Sequence, residues 1–146
     1  MNFYNKFYIL VFAFLILDSA ADELTINLLG QTKEGVLSLA IYNDADAYTQ
    51  SVKGEKRSEE GVFQGIESYI ELKENHEFII NLPEGEYAIA LFVDTNKNSK
   101  IDKNFLGIPK EQFGFSNNAM GRLSAPSFEQ AKFQVQGSTL QNIQLK

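Results

Sequence analysis

The sequence contains no cysteine, and its 146 residues include a single histidine, His76. Without cysteine the chain has no disulfide, no thiolate metal site and no thiol nucleophile. Packing must therefore stabilise the fold, and a bound ion is a candidate for additional stabilisation. One histidine in a polar turn is too few for a histidine-rich zinc site, and we expect a surface position rather than a Ser-His-Asp triad. No phosphate-loop or nucleophile motif occurs either. We therefore predict a protein that is not an enzyme.

Basic residues are scarce relative to acidic ones. The chain has 13 Lys and Arg against 19 Asp and Glu, which gives a formal net charge of −6. Nucleic-acid-binding proteins carry a basic patch or stripe, and the one basic cluster, at residues 53–57, is diluted by glutamate. We expect no nucleic acid partner. An acidic chain is compatible with a nearby divalent cation, although acidic proteins without metals are commoner.

Long hydrophobic runs are absent except at the N-terminus. Residues 9–17 are uninterrupted and apolar, follow one cation at Lys6, and precede small residues within 18–21. This order is typical of a secretory signal peptide, and the run is shorter than the ~20 residues of a membrane-spanning helix. The abrupt change to polar residues argues against a retained anchor. We predict a signal peptide at residues 1–21, a single domain at residues 22–146, a periplasmic or secreted location, and no stable membrane anchor after cleavage.

The rest of the chain alternates apolar and polar side chains, which predicts strands with one buried face. Seven short segments show this pattern or a fully apolar version of it: residues 23–29, 36–42, 66–72, 77–82, 86–93, 128–135 and 140–145. Turn residues separate them, and no segment is convincingly helical. The pattern predicts an all-β fold, an antiparallel β-sandwich of about seven strands with Greek-key connections.

Some local expectations follow from the same pattern. A short polar loop joins the first two segments, which favours an antiparallel hairpin. The segment at 86–93 is apolar on both faces, which predicts a central strand. Asp44 or Asp46 can cap a helical turn within residues 44–50, and the charged run at 53–60 reads as a solvated loop. Residues 94–127 show almost no alternation, and loops of that length are usually functional or tied down.

Oxygen-bearing side chains recur at positions 1, 3, 5 and 9 of the loop that follows residue 93: Asp94, Asn96, Asn98 and Asp102. Lys100 at position 7 would contribute its backbone carbonyl, and such a ligand set suits calcium. The loop is not an EF-hand, because Ser99 and Phe105 stand where that motif has Gly and a bidentate Glu, and no helix leads into it. With two carboxylates, we predict a weak site, with Kd of about 10⁻⁴–10⁻³ M.

Three alternatives remain open for this loop. A third carboxylate would tighten the site, and Glu111 downstream and Glu84 or Glu86 upstream are the nearest. An Asn/Asp-rich turn can also close through hydrogen bonds to its own backbone, without any ion. Finally, Asp94, Asp102 and Glu111 could surround a catalytic metal. We disfavour that small hydrolase because a calcium-type shell gives weak Lewis acidity.

The segment at residues 107–118 is a second candidate. As a recognition loop for a protein or glycan partner, it would present apolar and hydrogen-bonding groups from Glu111, Phe113, Phe115, Ser116, Asn117 and Asn118. The alternative is a loop folded back on the sandwich. Its phenylalanines would then fill the core edge, and Glu111 and Ser116 would accept from backbone N–H groups. We favour the alternative, because aromatic side chains in ordered loops are more often buried than displayed.

The chain resembles the exported bacterial family called domain of unknown function 2141. That family has a G-x-Y-A strand, then D-x-N-x-N-x-x-x-D, G-[IV]-P-x-E, G-F-S-N-N and P-x-F-x-x-A-x-F. The corresponding residues here are Gly85, Tyr87 and Ala88; Asp94, Asn96, Asn98 and Asp102; Gly107, Ile108, Pro109 and Glu111; residues 114–118; and Pro126, Phe128, Ala131 and Phe133. The resemblance covers essentially the whole chain after the predicted signal peptide and is dense over residues 82–135. It implies a secreted or periplasmic β-sandwich, immunoglobulin-like or prealbumin-like, with no established activity.

These observations favour an exported, non-catalytic binding or accessory module with a calcium-type loop at residues 94–102. The alternatives are the metal-assisted hydrolase that uses the same acidic loop and a purely structural module of the envelope.

Overall fold

The computed structural model describes residues 21–54, 60–73 and 75–146. The predicted signal peptide, apart from its last residue, and residues 55–59 of the charged run lie outside the described residues. Eight strands and two helices are present in the described chain: β1 (Asp22–Leu29), β2 (Gly35–Tyr42), α1 (Ala45–Lys53), β3 (Gln64–Ile70), β4 (Asn75–Leu82), β5 (Gly85–Asp94), β6 (Phe113–Phe115), α2 (Phe128–Ala131), β7 (Phe133–Val135) and β8 (Ser138–Gln144). A 3₁₀ turn (Ser116–Asn118) follows β6.

The strands form two sheets that pack face to face. One sheet has the order β4-β1-β8, and the other has the order β3-β2-β5-β6, with β7 also paired to β5. The prediction of an all-β sandwich is confirmed, with eight strands in the described chain where about seven were expected. No helix among the described residues is long and apolar enough to cross a membrane.

The main core lies between the two sheets and follows directly from the alternation. Leu24, Ile26 and Leu28 of β1 are fully buried, and so are Leu37 and Leu39 of β2 on the opposite sheet. Burying one aliphatic side chain stabilises a fold by about 1.5–3 kcal/mol. Both clusters of buried apolar residues draw on residues between 24 and 145. The chain from residue 22 onward therefore contains this whole core and is the natural unit for measurement.

The predicted hairpin of the first two strands is wrong. β1 pairs antiparallel with β4 and parallel with β8, whereas β2 pairs antiparallel with β3 and β5. The connection at residues 30–34 therefore crosses from one sheet to the other. A polar turn indicates that the chain reverses, but it does not say whether the two strands hydrogen-bond or face each other across the core. The parallel β1–β8 pair also makes the fold less than fully antiparallel.

The expectation that no helix follows the N-terminal segment is also wrong. Asp44 caps α1, its Oδ1 accepting from the N–H of Ala47 at 2.8 Å, so the predicted helical turn extends to Lys53. Residues 128–131, predicted as strand, form α2. A capping box starts it, in which the Ser127 and Gln130 side chains each accept from the other residue's backbone N–H. Two satisfied N–H groups outweigh a short period-two pattern.

The two helices cover the outer face of the larger sheet and create a second core. Tyr42 from β2, Tyr48 from α1 and Phe128 from α2 stack edge to face, with ring centroids 5.7 and 5.8 Å apart. Ala40 and Ala88 of β2 and β5 pack in the same cluster. These two strands are therefore buried on both faces, which confirms the central position predicted for the segment at 86–93.

Tyr48 provides a test of this second core. Its hydroxyl oxygen is buried without a hydrogen-bond partner among the described residues, whereas the neighbouring Tyr42 hydroxyl donates to Ser51 Oγ at 2.6 Å. An unpaired buried hydroxyl costs about 1–3 kcal/mol. Tyr48→Phe is expected to raise the free energy of unfolding by about 1 kcal/mol, and Tyr42→Phe to lower it by a similar amount, in urea denaturation at neutral pH.

The pH dependence gives the same test a second readout. Burial raises the pKa of the Tyr48 hydroxyl above its ordinary value of 10.0. The folded state then holds this proton more tightly than the unfolded state, so wild-type stability is lost as the pH rises above about 10. The stability advantage of Tyr48→Phe should widen over that range. A variant less stable than wild type at neutral pH would show that the hydroxyl has a partner.

Candidate functional site

The acidic loop begins where β5 ends, at Asp94, and leads to β6 through residues 95–112. The start of β2 holds this point closely: a Cβ on Gly35 would lie 2.5 Å from the backbone oxygen of Asp94. Only glycine permits that approach. Asp94 also pairs with Val36 in the β2–β5 register. The first residue of the loop is therefore fixed by the larger sheet.

The Asp94 carboxylate organises the first half of the loop. Its side chain is 2% exposed; Oδ1 accepts from the N–H groups of Lys97 (2.7 Å) and Asn98 (3.3 Å), and Oδ2 from Ser99 (2.7 Å). Lys97 and Ser99 have φ of 61° and 60°, in the left-handed region. Ser99 thus adopts the sharp turn that Gly supplies at the same position of an EF-hand. The three hydrogen bonds to a charged acceptor offset the strain at two non-glycine residues.

Asp102 closes the second half of the loop. The amide nitrogen of Asn96 donates to its carboxylate at 2.6 Å, and that of Asn98 at 3.2 and 3.3 Å. The oxygens of the same amides accept backbone N–H groups, Asn96 Oδ1 from Asn98 at 3.2 Å and Asn98 Oδ1 from Lys100 at 2.9 Å. The structure therefore brings the side chains of Asn96, Asn98 and Asp102 together, whereas the Asp94 carboxylate contacts backbone N–H groups. The loop is closed by its own hydrogen bonds, as the ion-free alternative predicts.

Glu111 ties the two ends of this loop together. It is buried, with Oε1 accepting from the Thr95 N–H at 2.9 Å and Oε2 from the Asp102 N–H at 3.2 Å. The other carboxylates considered as extra ligands lie elsewhere. Glu84 and Glu86 are at the opposite end of β5, where Glu86 pairs with Lys132 Nζ at 3.2 Å. Glu111 positions the loop through its backbone, and the upstream glutamates do not approach it.

The described carboxylates do not cluster in threes. Across residues 21–54, 60–73 and 75–146, no three His, Asp or Glu side chains are grouped so that they could hold one metal ion. Asp94, Asp102 and Glu111 are not grouped in this way. Any cation in this loop would take amide, main-chain and water oxygens as well.

The segment at residues 107–118 folds back on the sandwich, and three of its six candidate residues are buried. Phe115 is buried in the second core, where its ring lies 5.9 Å from that of half-buried Phe113. The fully buried Ser116 hydroxyl accepts from the Ile89 N–H at 2.9 Å and donates to the Ala131 carbonyl at 2.5 Å. Phe115, Ser116 and Glu111 are therefore closed to a partner, because they fill the core edge and satisfy backbone groups.

The two asparagines of the 3₁₀ turn are exposed but bonded. Asn117 Nδ2 donates to the Lys132 carbonyl at 2.7 Å, and Asn118 Oδ1 accepts from the Gln144 N–H at 2.7 Å. Both have φ near +55°, a region that asparagine tolerates better than most residues (57° and 51°). They anchor the turn to Lys132 and to Gln144 of β8. Only their solvent-facing edges remain available to a partner.

Gln112 has a role that the sequence did not indicate. Its Oε1 accepts from the N–H groups of Thr32 (2.7 Å) and Lys33 (3.2 Å), and its Nε2 donates to the Gly30 carbonyl at 3.0 Å. This side chain joins the β1–β2 connection to the end of the acidic loop. No sequence pattern predicts this contact, because the two segments are about 80 residues apart in the chain.

A small apolar cleft lies on the outer face of the larger sheet, beside α1. Its volume is about 70 Å³, and its lining includes Ser38, Ala90, Phe92 and Val52. Small-molecule sites usually measure about 300–1,000 Å³. This cleft is too small for an ordinary substrate.

Among the comparisons with known proteins, only a family model matches this chain. A family model described as "Uncharacterized protein conserved in bacteria (DUF2141)" matches residues 26–143. No curated protein and no solved structure matches the chain. The matched region runs from β1 into β8 and includes the acidic loop, the folded-back segment and α2. The chain therefore belongs to the family of uncharacterized proteins conserved in bacteria, DUF2141, as its motifs predict.

Proposed function

We propose that this protein is an exported, non-catalytic binding or accessory module in which a weak calcium site orders the loop at one end of the sandwich. One observation carries the proposal: the side chains of Asn96, Asn98 and Asp102 converge within 2.6–3.3 Å above a turn built by Asp94. Export rests on the signal-peptide pattern of residues 1–21.

A calcium ion would replace contacts that the loop now makes with itself. Rotating the Asn96 and Asn98 amides would turn their oxygens, rather than their NH₂ groups, toward the Asp102 carboxylate, and the cation would lie between them. Asp94 has about four acceptor sites and uses three, which leaves about one for the ion. The Lys100 carbonyl and water would complete a shell of the size calcium prefers.

A non-catalytic role agrees with the surroundings of this loop. The described residues contain no cluster of three His, Asp or Glu for a catalytic metal, and the cleft beside α1 is small. The bound ion would stiffen the backbone of residues 94–102, and the exposed edges of Asn117 and Asn118 in the segment at residues 107–118 would contact a protein or glycan partner. The acidic chain does not favour nucleic acid.

A thermal melt of residues 22–146 tests the ion. Free calcium at about ten times Kd is expected to stabilise the fold by about 1.4 kcal/mol over chelator, a shift of about 3–6 °C in the midpoint. Asp102→Ala is expected to lose this shift while its midpoint in chelator stays within about 3 °C of wild type, because its side-chain partners are exposed amides.

Two results would contradict the proposal. If neither calcium nor magnesium at millimolar concentration moves the wild-type midpoint, the loop holds no ion under these conditions and the module is structural. If Asp102→Ala keeps the full shift, the ion binds somewhere else on the domain.

A further inference from the structure

The tip of the long loop, residues 103–109, is a turn closed by its own hydrogen bonds. A β-bridge joins Lys103 and Pro109, and the Asn104 N–H donates to the Ile108 carbonyl at 2.8 Å. The Asn104 side-chain Oδ1 accepts from the N–H groups of Leu106 (2.9 Å) and Ile108 (3.0 Å). One asparagine therefore satisfies the inside of the turn, and the backbone conformation does not depend on the side chains that point outward.

Those outward side chains are apolar. Phe105 is 95% exposed, Leu106 68% and Ile108 55%. A phenylalanine exposed to this extent touches almost nothing of its own chain. Contiguous exposed apolar groups on a folded domain mark an interaction site more often than chance. Because the turn is held by backbone and Asn104 contacts, the apolar groups contribute little to folding, which points to a role outside the domain.

Lysines flank the tip in the sequence, although the protein as a whole is acidic. Four exposed lysines lie in the same loop: Lys97, Lys100, Lys103 and Lys110. Lys97 is directed away from the others, with its Nζ 5.2 Å from the centroid of the Tyr69 ring in β3. Lys33 from the β1–β2 connection joins them, with Nζ 3.5 Å from the Lys110 carbonyl. The carboxylates of the loop are engaged: those of Asp94 and Glu111 are buried on backbone N–H groups, and that of Asp102 accepts from two amides. Hydrogen bonding leaves these carboxylates charged, so the loop at residues 94–111 carries a net charge of only +1. Its tip is more basic, because residues 103–110 include two lysines and no acidic residue.

We propose that this tip docks the domain on the surface of a membrane that contains anionic phospholipid. Three apolar side chains on one turn are too few to fill a protein–protein interface, in which each partner buries roughly 800 Å². Such a turn fits a bilayer, where the apolar groups enter the boundary between headgroups and acyl chains and the lysines reach lipid phosphates. Charge complementarity therefore selects an anionic lipid surface over a neutral one. This inference does not depend on the proposed calcium site.

Co-sedimentation of residues 22–146 with vesicles tests the proposal. The probes are vesicles of phosphatidylglycerol mixed with phosphatidylcholine and vesicles of phosphatidylcholine alone, in about 0.1 M salt with chelator. Binding to the anionic vesicles is expected, with weaker binding at high salt. The double variant Phe105→Ser/Leu106→Ser should bind at least about tenfold more weakly. Lys100→Gln and Lys103→Gln should each reduce binding about fivefold.

A matched control uses exposed apolar residues outside the tip. Leu123 is fully exposed and Met120 is 45% exposed in the connection before α2. The double variant Leu123→Ser/Met120→Ser should bind as wild type does. Thermal midpoints of all variants should match wild type, since every substituted side chain is solvent-exposed.

Three outcomes would overturn the proposal. One is no preference for anionic vesicles, and another is full binding by the tip variant. The third is binding that appears only when calcium replaces chelator, because the ion rather than the lysines would then bridge to lipid phosphate. If vesicles are not bound but a protein partner is, and that contact needs Phe105, the tip is a protein-docking site instead.

Discussion

Asp94→Ala is expected to lower the free energy of unfolding by about 3 kcal/mol with chelator present. The substitution removes a buried acceptor of three backbone N–H groups, two of them at 2.7 Å. Hydrogen bonds to a charged group contribute about 1.5–3 kcal/mol each, and we discount their sum because residues 97–99 are exposed and water can replace part of it. For a domain of this size the thermal midpoint should fall by roughly 10 °C.

The comparison with Asp102→Ala separates architecture from ion binding. Both carboxylates belong to the proposed calcium shell, so both variants should lose the response to calcium. Only Asp94 is buried on backbone donors, so only its loss should destabilise the metal-free protein strongly. Asp94→Asn should be intermediate, since one oxygen is kept and an NH₂ group replaces the other. If Asp94→Ala is within 0.5 kcal/mol of wild type in chelator, about the scatter of surface substitutions, the turn does not depend on this carboxylate.

Ser116→Ala is expected to cost about 2–3 kcal/mol, measured by urea denaturation. Its hydroxyl accepts from the Ile89 N–H and donates to the Ala131 carbonyl, with no exposed surface. Removing it leaves a buried donor and a buried acceptor unpaired, each of which costs about 1–3 kcal/mol. Ser124→Ala is the matched control, because Ser124 is exposed and donates only to the next carbonyl. That variant should change stability by less than about 0.5 kcal/mol.

The place of Ser116 in the sheet explains the size of this effect. Along one edge of β5, pairing with β6 ends at Ala90 opposite Phe115, and pairing with β7 begins at Tyr87 opposite Phe133. The Ile89 N–H falls in the gap between these two short ladders. The Ser116 hydroxyl fills that gap in place of a backbone carbonyl. A loss below 1 kcal/mol would mean that the two ladders close up and repair the pairing by themselves.

The local structure was predictable wherever the side-chain pattern acts over a few residues. Apolar residues on both faces of β5 indicated a central strand, and the buried Ala88 and Ile89 on its two faces confirm it. Asp44 or Asp46 was expected to cap a helical turn, and Asp44 is the residue that caps α1. The period-two pattern failed at residues 128–131, because Ser127 and Gln130 satisfy each other's N–H groups and stabilise a helical turn there.

The sequence predicted which residues belong to the acidic loop, but not which hydrogen bonds they make. Spacing placed Asp94, Asn96, Asn98 and Asp102 in one loop, and the structure brings the side chains of the last three together. Glu111 was expected near the loop, but its bonds to the Thr95 and Asp102 N–H groups depend on how residues 103–110 return to the sandwich. Whether the loop binds calcium remains a prediction for the melt to decide.

By itself, the sequence determined the all-β class, the family, the faces of the main strands and the membership of the acidic loop. These depend on side-chain periodicity and on motifs spaced over a few residues. Only the tertiary structure decided which strands pair, that Phe115 and Ser116 are buried, and that Phe105 is almost fully exposed. Those properties depend on contacts between residues far apart in the chain, where turn composition shows that the chain reverses without showing what it meets.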